Sequence, residues 1–142
     1  MKTPKIILSL IFLLLGSSAF AQGFVMIVNS ENPTLQISKD VIQDYYFKRN
    51  RSWSDGKPVR FFDRQNNGLR ESFLKTIINK SSRQVDQYWI GQKFNTGDSA
   101  PTQVSSDSLV IGLVSKFPGG IGYVSEGTVL PKEVKVIEVM GK

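Results

Sequence analysis

From Phe24 onward, apolar residues fall into short continuous runs separated by stretches of helical spacing. Residues 24–28 (FVMIV) form an unbroken apolar run, which suits a strand covered on both faces. A polar loop rich in turn residues follows at 29–33. Ser38 then opens a helix as its N-cap, and Asp40 suits the positive helix end. Val41, Ile42, Tyr45 and Tyr46 recur at helical spacing until about Phe47 and Lys48. Residues 53–58 (WSDGKP) read as a turn, and 59–62 (VRFF) as the second strand.

A loop at 63–68 (DRQNNG) leads into a helix from about Leu69 to Asn79. Phe73, Leu74, Ile77 and Ile78 mark its apolar face. Either Ser81 or Ser82 caps a further helix carrying Val85 and Trp89, and residues 94–102 form a polar connection. Either Ser105 or Ser106 caps the next helix. Its inner face is Leu109, Val110, Leu113, Val114 and Phe117, and Pro118-Gly119-Gly120 stops it. Residues 121–125 (IGYVS) and 134–139 (VKVIEV) close the chain as strands. Alternating strands and helices predict an α/β fold, a mixed β-sheet flanked by helices.

The N-terminus has a different pattern. Lys2 and Lys5 precede an apolar run at 6–15 (IILSLIFLLL), and Ala19-Phe20-Ala21 forms a small-x-small site. That is the layout of a secretory signal peptide over 1–21, cleaved after Ala21. The run is half the length a membrane-spanning helix needs. No Cys follows it, so a lipid anchor of the diacylglyceryl type is excluded. The compact signal points to the periplasm of a two-membrane cell, with no stable membrane insertion after cleavage. Removing 21 of 142 residues leaves 121, one domain at 22–142.

Composition narrows the chemistry. The chain has no His and no Cys, which excludes Ser-His-Asp and Cys-His catalysis and the usual zinc ligand sets. No close carboxylate pair suggests general acid–base work, so no reaction, cofactor or metal is implied. The net charge is +6, falling to +4 once the two leader lysines are gone. That balance suits an anionic ligand and is also ordinary for a soluble domain; nucleic acid is not expected in that compartment. The densest basic group, Lys48, Arg49 and Arg51, reads as a solvated helix end.

The segment with most chemical promise is VRFF-DRQNNG-LRESF. A loop between a strand and a helix start aims free backbone amides outward, where the helix dipole favours an anion. Gly68 lets a ligand approach the backbone. Either Asn66 or Asn67 can cap the helix, and Arg64 and Arg70 bracket the loop. Arg70 reads equally as a solvated helix residue. In FPGGIGYV, Gly122 marks close packing or backbone approach and Tyr123 reads as core. Trp89 reads as core from its spacing with Val85.

One ordered set of residues carries a family likeness. It runs Ile37-Ser38-Lys39-Asp40, Tyr46-Phe47-Lys48, residues 53–59, Arg64, residues 67–73, Tyr88-Trp89, Val104-Ser105-Ser106 and residues 118–124. This set resembles the short phosphate ABC transporter substrate-binding protein-like sequences of the type II periplasmic binding protein superfamily. The resemblance implies one lobe of a fold whose full-length members close two lobes on phosphate. It also implies a pocket made by an Arg and a Ser-Gly-Thr-like turn at a helix start. Arg64 matches the Arg, and Asn67, Gly68 and Leu69 stand where that turn would be. Both hydroxyl donors are replaced, and the Arg-to-Gly spacing is one residue shorter. The implied function is weak, non-covalent binding of phosphate or a related oxyanion by Arg64, Asn67, Gly68, Leu69 and Arg70. The alternative is an envelope protein-interaction module on the same lobe with no small ligand. A lone lobe also exposes an apolar rim, which predicts self-association or an envelope partner.

Overall fold

The computed structural model describes residues 23–141, so the leader and its cleavage site lie outside the described residues. Among the described residues, seven strands and four α-helices, with a π-helical segment between α2 and α3, follow in the order β1 (Phe24–Asn29), β2 (Gln36–Ser38), α1 (Lys39–Tyr46), β3 (Arg60–Arg64), α2 (Gly68–Phe73), α3 (Ser82–Asn95), β4 (Thr102–Val104), α4 (Asp107–Lys116), β5 (Gly120–Ser125), β6 (Val134–Val136) and β7 (Glu138–Met140). The main sheet has the order β4-β3-β5-β1-β6. Its β4, β3 and β5 run parallel, and β1 is antiparallel to both β5 and β6. This is the mixed sheet flanked by helices that the sequence predicts.

Strand alternation sorts the core into two faces. Met26, Val28, Phe61, Ile121 and Tyr123 point to the side covered by α1, α2 and α3. Ile27, Phe62 and Val124 point to the side covered by α4, where Val110 and Val114 meet them. Gly122 explains how closely α4 sits: a Cβ there would stand 2.7 Å from a Val110 methyl. The expected close packing at Gly122 is therefore observed.

The helix caps follow the sequence. The hydroxyl of Ser38 accepts from the Val41 amide, and Ser106 accepts from Leu109. Ser81 and Gln84 form a reciprocal capping box. Several boundaries differ, each for a tertiary reason. β3 extends to Arg64 because β4 pairs beside it, matching Asp63 to Gln103 and Arg64 to Val104. Asp63 and Arg64 are therefore strand residues and not loop residues. β4 itself arises within a segment read as connection. α1 ends at Tyr46, and Lys48 follows with a left-handed φ of 58°.

The helix expected over 69–79 changes character after Phe73. Leu74–Ile78 is π-helical and ends at Asn79, whose φ is 59°. The final strand divides at Ile137. β6 joins the main sheet, and β7 pairs in parallel with β2. Among the described residues, no helix is long and apolar enough to cross a membrane.

Candidate functional site

The site lies at the carboxyl end of β3, where an apolar strand finishes in two opposite charges. Alternation sends Asp63 to one face of the sheet and Arg64 to the other. Each then meets an opposite charge from the helix on its own face.

On the first face, Asp63 and Arg70 pair at 3.2 Å, and both side chains are 1% exposed. Two phenols complete the Asp63 shell. Tyr46 donates to Oδ2 at 2.7 Å, and Tyr123 donates to Oδ1. Asp63 also accepts from the Arg64 amide at 2.8 Å. Arg70 spreads its remaining donors to Asn66 at 2.6 Å and to Asp86 at 3.3 Å. Burial and the Asp63 charge push both tyrosine hydroxyls well above their usual range, so they stay neutral donors. Burial opposes the Arg70 charge, but Asp63 more than restores it, and the net shift is upward.

Burying an ion pair this way is tolerable only when nearly every lone pair and proton has a partner. The shell described above meets that requirement. The alternative reading of Arg70 as a solvated helix residue is therefore corrected. α2 carries Arg70 inward because Leu69 and Phe73 share its buried side, and the Phe73 ring stacks on Tyr123 at 4.1 Å.

On the second face, an Arg64 Nη donates to Asp107 in the first turn of α4. The Ser125 amide donates to the same Asp107 oxygen at 3.2 Å. Burial alone would raise the Asp107 carboxyl. The hydrogen bonds from Ser125 and Arg64 outweigh it and hold it below its ordinary value. This pair is less enclosed, at 7% exposure for Arg64 and 29% for Asp107. Arg64 also has a buried Nε–H with no acceptor among the described residues.

Between the two arginines, residues 65–68 form an exposed turn. Asn67 caps α2, and its side-chain oxygen accepts from the Arg70 amide at 2.8 Å. The Arg70 amide is therefore already engaged. Gly68 and Leu69 are the first two residues of α2, whose amides lack an intrahelical acceptor. The Leu69 side chain is buried, so it offers only its backbone. The structure thus brings all five sequence-chosen residues into one strand–turn–helix unit. It also adds Asp63, Tyr46, Tyr123, Asp86 and Asp107, which sequence reasoning did not select, and it gives Asn66, offered there as a cap, the role of an acceptor for Arg70. Around the turn, two guanidinium groups face three carboxylates. Among the described residues, no cluster of acidic side chains is placed to hold a metal ion.

Comparison with known structures gives one consistent answer. The chain is similar to an ABC-type phosphate transport receptor from Vibrio cholerae, with a TM-score of 0.64 and 20% identity over 82% of this chain and 46% of that one. It is similar to a phosphate ABC transporter substrate-binding protein with bound phosphate from Clostridium perfringens, at TM-score 0.65 and 18% identity, covering 82% and 44%. It is also similar to PstS from Borrelia burgdorferi, at TM-score 0.63 and 17% identity, covering 82% and 46%. The chain therefore has a periplasmic-binding-protein-like fold and spans less than half the length of these proteins. No protein-family model matches the sequence, and no curated protein matches it.

Proposed function

We propose that the protein is a periplasmic, single-lobe relative of phosphate-binding transport receptors that binds phosphate or a related oxyanion weakly and without covalent chemistry. The observation that carries this reading is the state of Arg64. Its guanidinium is held in place through one Nη by Asp107, and its buried Nε–H has no partner among the described residues. A buried donor without an acceptor is costly, and an incoming oxyanion relieves that cost. The side-on edge of a guanidinium suits two oxygens of one anion. Asn67 and the first amides of α2 supply the remaining donors. Arg70 acts by holding the turn through Asn66, not by touching the ligand. The structural neighbours named for phosphate support the same reading.

The binding is weak for two reasons. The three nearby carboxylates cancel the arginine charges, and a single lobe leaves the anion exposed to water and salt. A dissociation constant near millimolar, about −4.1 kcal/mol, is expected. Chemical-shift titration with inorganic phosphate tests this. Shifts should centre on residues 64–69, weaken with salt and vanish in Arg64→Ala. Parent-like titration of Arg64→Ala would end the anion reading.

One observation favours a second reading, an envelope protein-interaction module. Asp107 already places a carboxylate on the Arg64 guanidinium, so the chain supplies its own counter-ion. If phosphate produces no shifts, and light scattering or in-cell crosslinking shows self-association or a stable envelope partner, this second reading replaces the first.

A further inference from the structure

A separate cleft of about 540 Å³ opens at the other end of β3. Arg60 begins the strand that Arg64 ends, so the two arginines stand roughly 13 Å apart along it at the usual rise per residue. The cleft lies among the 51–59 turn, the start of β4 and the last turn of α4. Its size is that of a small-molecule site.

Its lining combines an apolar floor with cations. Phe62 and Phe117 stack with ring centroids 6.1 Å apart, and Leu113 and Pro101 continue that surface. Lys48, Arg51 and Arg60 line it, and among the described residues no carboxylate does. Two of these cations have partners. Arg51 pairs with Asp98 at 3.0 Å, and Lys48 donates to the Ser99 carbonyl, which ties the 96–101 segment to the cleft wall. Arg60 is different: among the described residues it makes no ion pair and no side-chain hydrogen bond. Its guanidinium instead lies 4.0 Å over the Phe117 ring. A guanidinium held against a ring face with no acceptor of its own keeps N–H donors available for a carboxylate. Burial pulls the Lys48 ammonium below its ordinary value, with Arg51 and Lys93 adding to the effect and Asp98 opposing it. An anion in the cleft would relieve that strain on the charge.

We infer that this cleft binds a small organic carboxylate with an aromatic or branched apolar body, its carboxylate on Arg60 and its body on Phe62, Phe117 and Leu113. An inorganic oxyanion would leave the apolar floor unused. A neutral apolar molecule would leave the cations unused. The site therefore selects for both features in one ligand.

The test is a chemical-shift titration of the whole protein with 3-phenylpropionate, with its neutral amide and inorganic phosphate as controls. The carboxylate should saturate in the low millimolar range, with shifts centred on Arg60, Phe62, Thr102 and Phe117. The amide should bind about tenfold more weakly, as expected for loss of a charge-assisted bidentate contact. Arg60 is exposed, so Arg60→Gln keeps the fold and should weaken the carboxylate similarly. Arg49→Gln, a nearby surface cation outside the cleft, should leave it unchanged. Phosphate should leave the cleft residues unshifted, whatever it does at Arg64. The inference is overturned by equal binding of acid and amide, by parent-like titration of Arg60→Gln, by carboxylate shifts at residues 64–69 instead, or by no saturable shifts.

Discussion

Asp63 and Arg64 are chain neighbours at one strand end, yet their ion pairs have opposite characters. Asp63 is sealed with Arg70 beneath α2, and two phenols finish its shell. Arg64 is buried beneath α4 against the partly exposed Asp107, with one donor on that carboxylate and another with no acceptor among the described residues. The difference follows from what each face has to offer. The α2 face packs Tyr46, Phe73 and Tyr123 tightly around the charge. The α4 face meets its arginine at a helix start beside an exposed turn. A charge with a full shell holds structure, and a charge with a spare donor can hold something else.

The sealed pair should be the most sensitive point in the molecule. Asp63→Asn or Arg70→Met leaves an uncompensated buried group and should cost about 3–5 kcal/mol in urea denaturation. A loss near 1 kcal/mol would show that the pair is not an anchor. The double change to Asp63→Leu with Arg70→Met should recover only part of the loss, because it removes both charges but leaves the Tyr46 and Tyr123 hydroxyls and the Arg64 amide without their carboxylate acceptor.

The phenols come next. Tyr123→Phe removes a buried donor from Asp63 and should cost about 1–3 kcal/mol. The same hydroxyls predict the alkaline limb. Unfolded tyrosine ionises near pH 10, whereas burial and Asp63 hold both folded hydroxyls above that range. Their stabilisation is complete below about pH 10 and falls as pH rises beyond it, because the unfolded state releases its protons first. The Tyr46→Phe and Tyr123→Phe variants should show a flatter loss on that limb in base titrations followed by circular dichroism.

The open pair should respond more in binding than in stability. Asp107→Asn should cost about 1 kcal/mol, in the range of a partly exposed pair. Its folded carboxyl sits below its ordinary value, so its contribution is present above about pH 3.9, the usual Asp value, and is lost as pH falls through the folded value. The Asn variant should therefore flatten the acid limb. It should also tighten phosphate several-fold, since it frees an Arg64 donor and removes a competing charge. Unchanged phosphate affinity would mean that Asp107 and the anion do not share Arg64. At the bottom of the scale, Arg49→Ala breaks an exposed pair with Asp44 and should stay within about 0.5 kcal/mol.

The same contrast separates what sequence could reveal from what it could not. Local signals carried far: Ser38, Asn67, Ser81 and Ser106 all cap where capping chemistry places them. Tyr123 and Trp89 are buried, as their spacing implied. β2 and β4 were not legible, because three-residue strands exist only through partners such as β7 and β3. The Asp63–Arg70 cluster was hidden for the same reason. Tyr46 lies 17 residues from Asp63, and Tyr123 lies 60 residues away. One signal was available: an acid and a base side by side at the end of an apolar strand must face opposite sides, so each needs its own partner.

The position of β5 has a kinetic consequence. This strand is central in the sheet and late in the chain, joining Phe24 to Ser125 on one side and Arg60 to Gly120 on the other. Neither β1 nor β3 can enter the finished sheet until residues 120–125 have been made. Closing loops that long before any reward is gained slows folding relative to a chain built from local contacts.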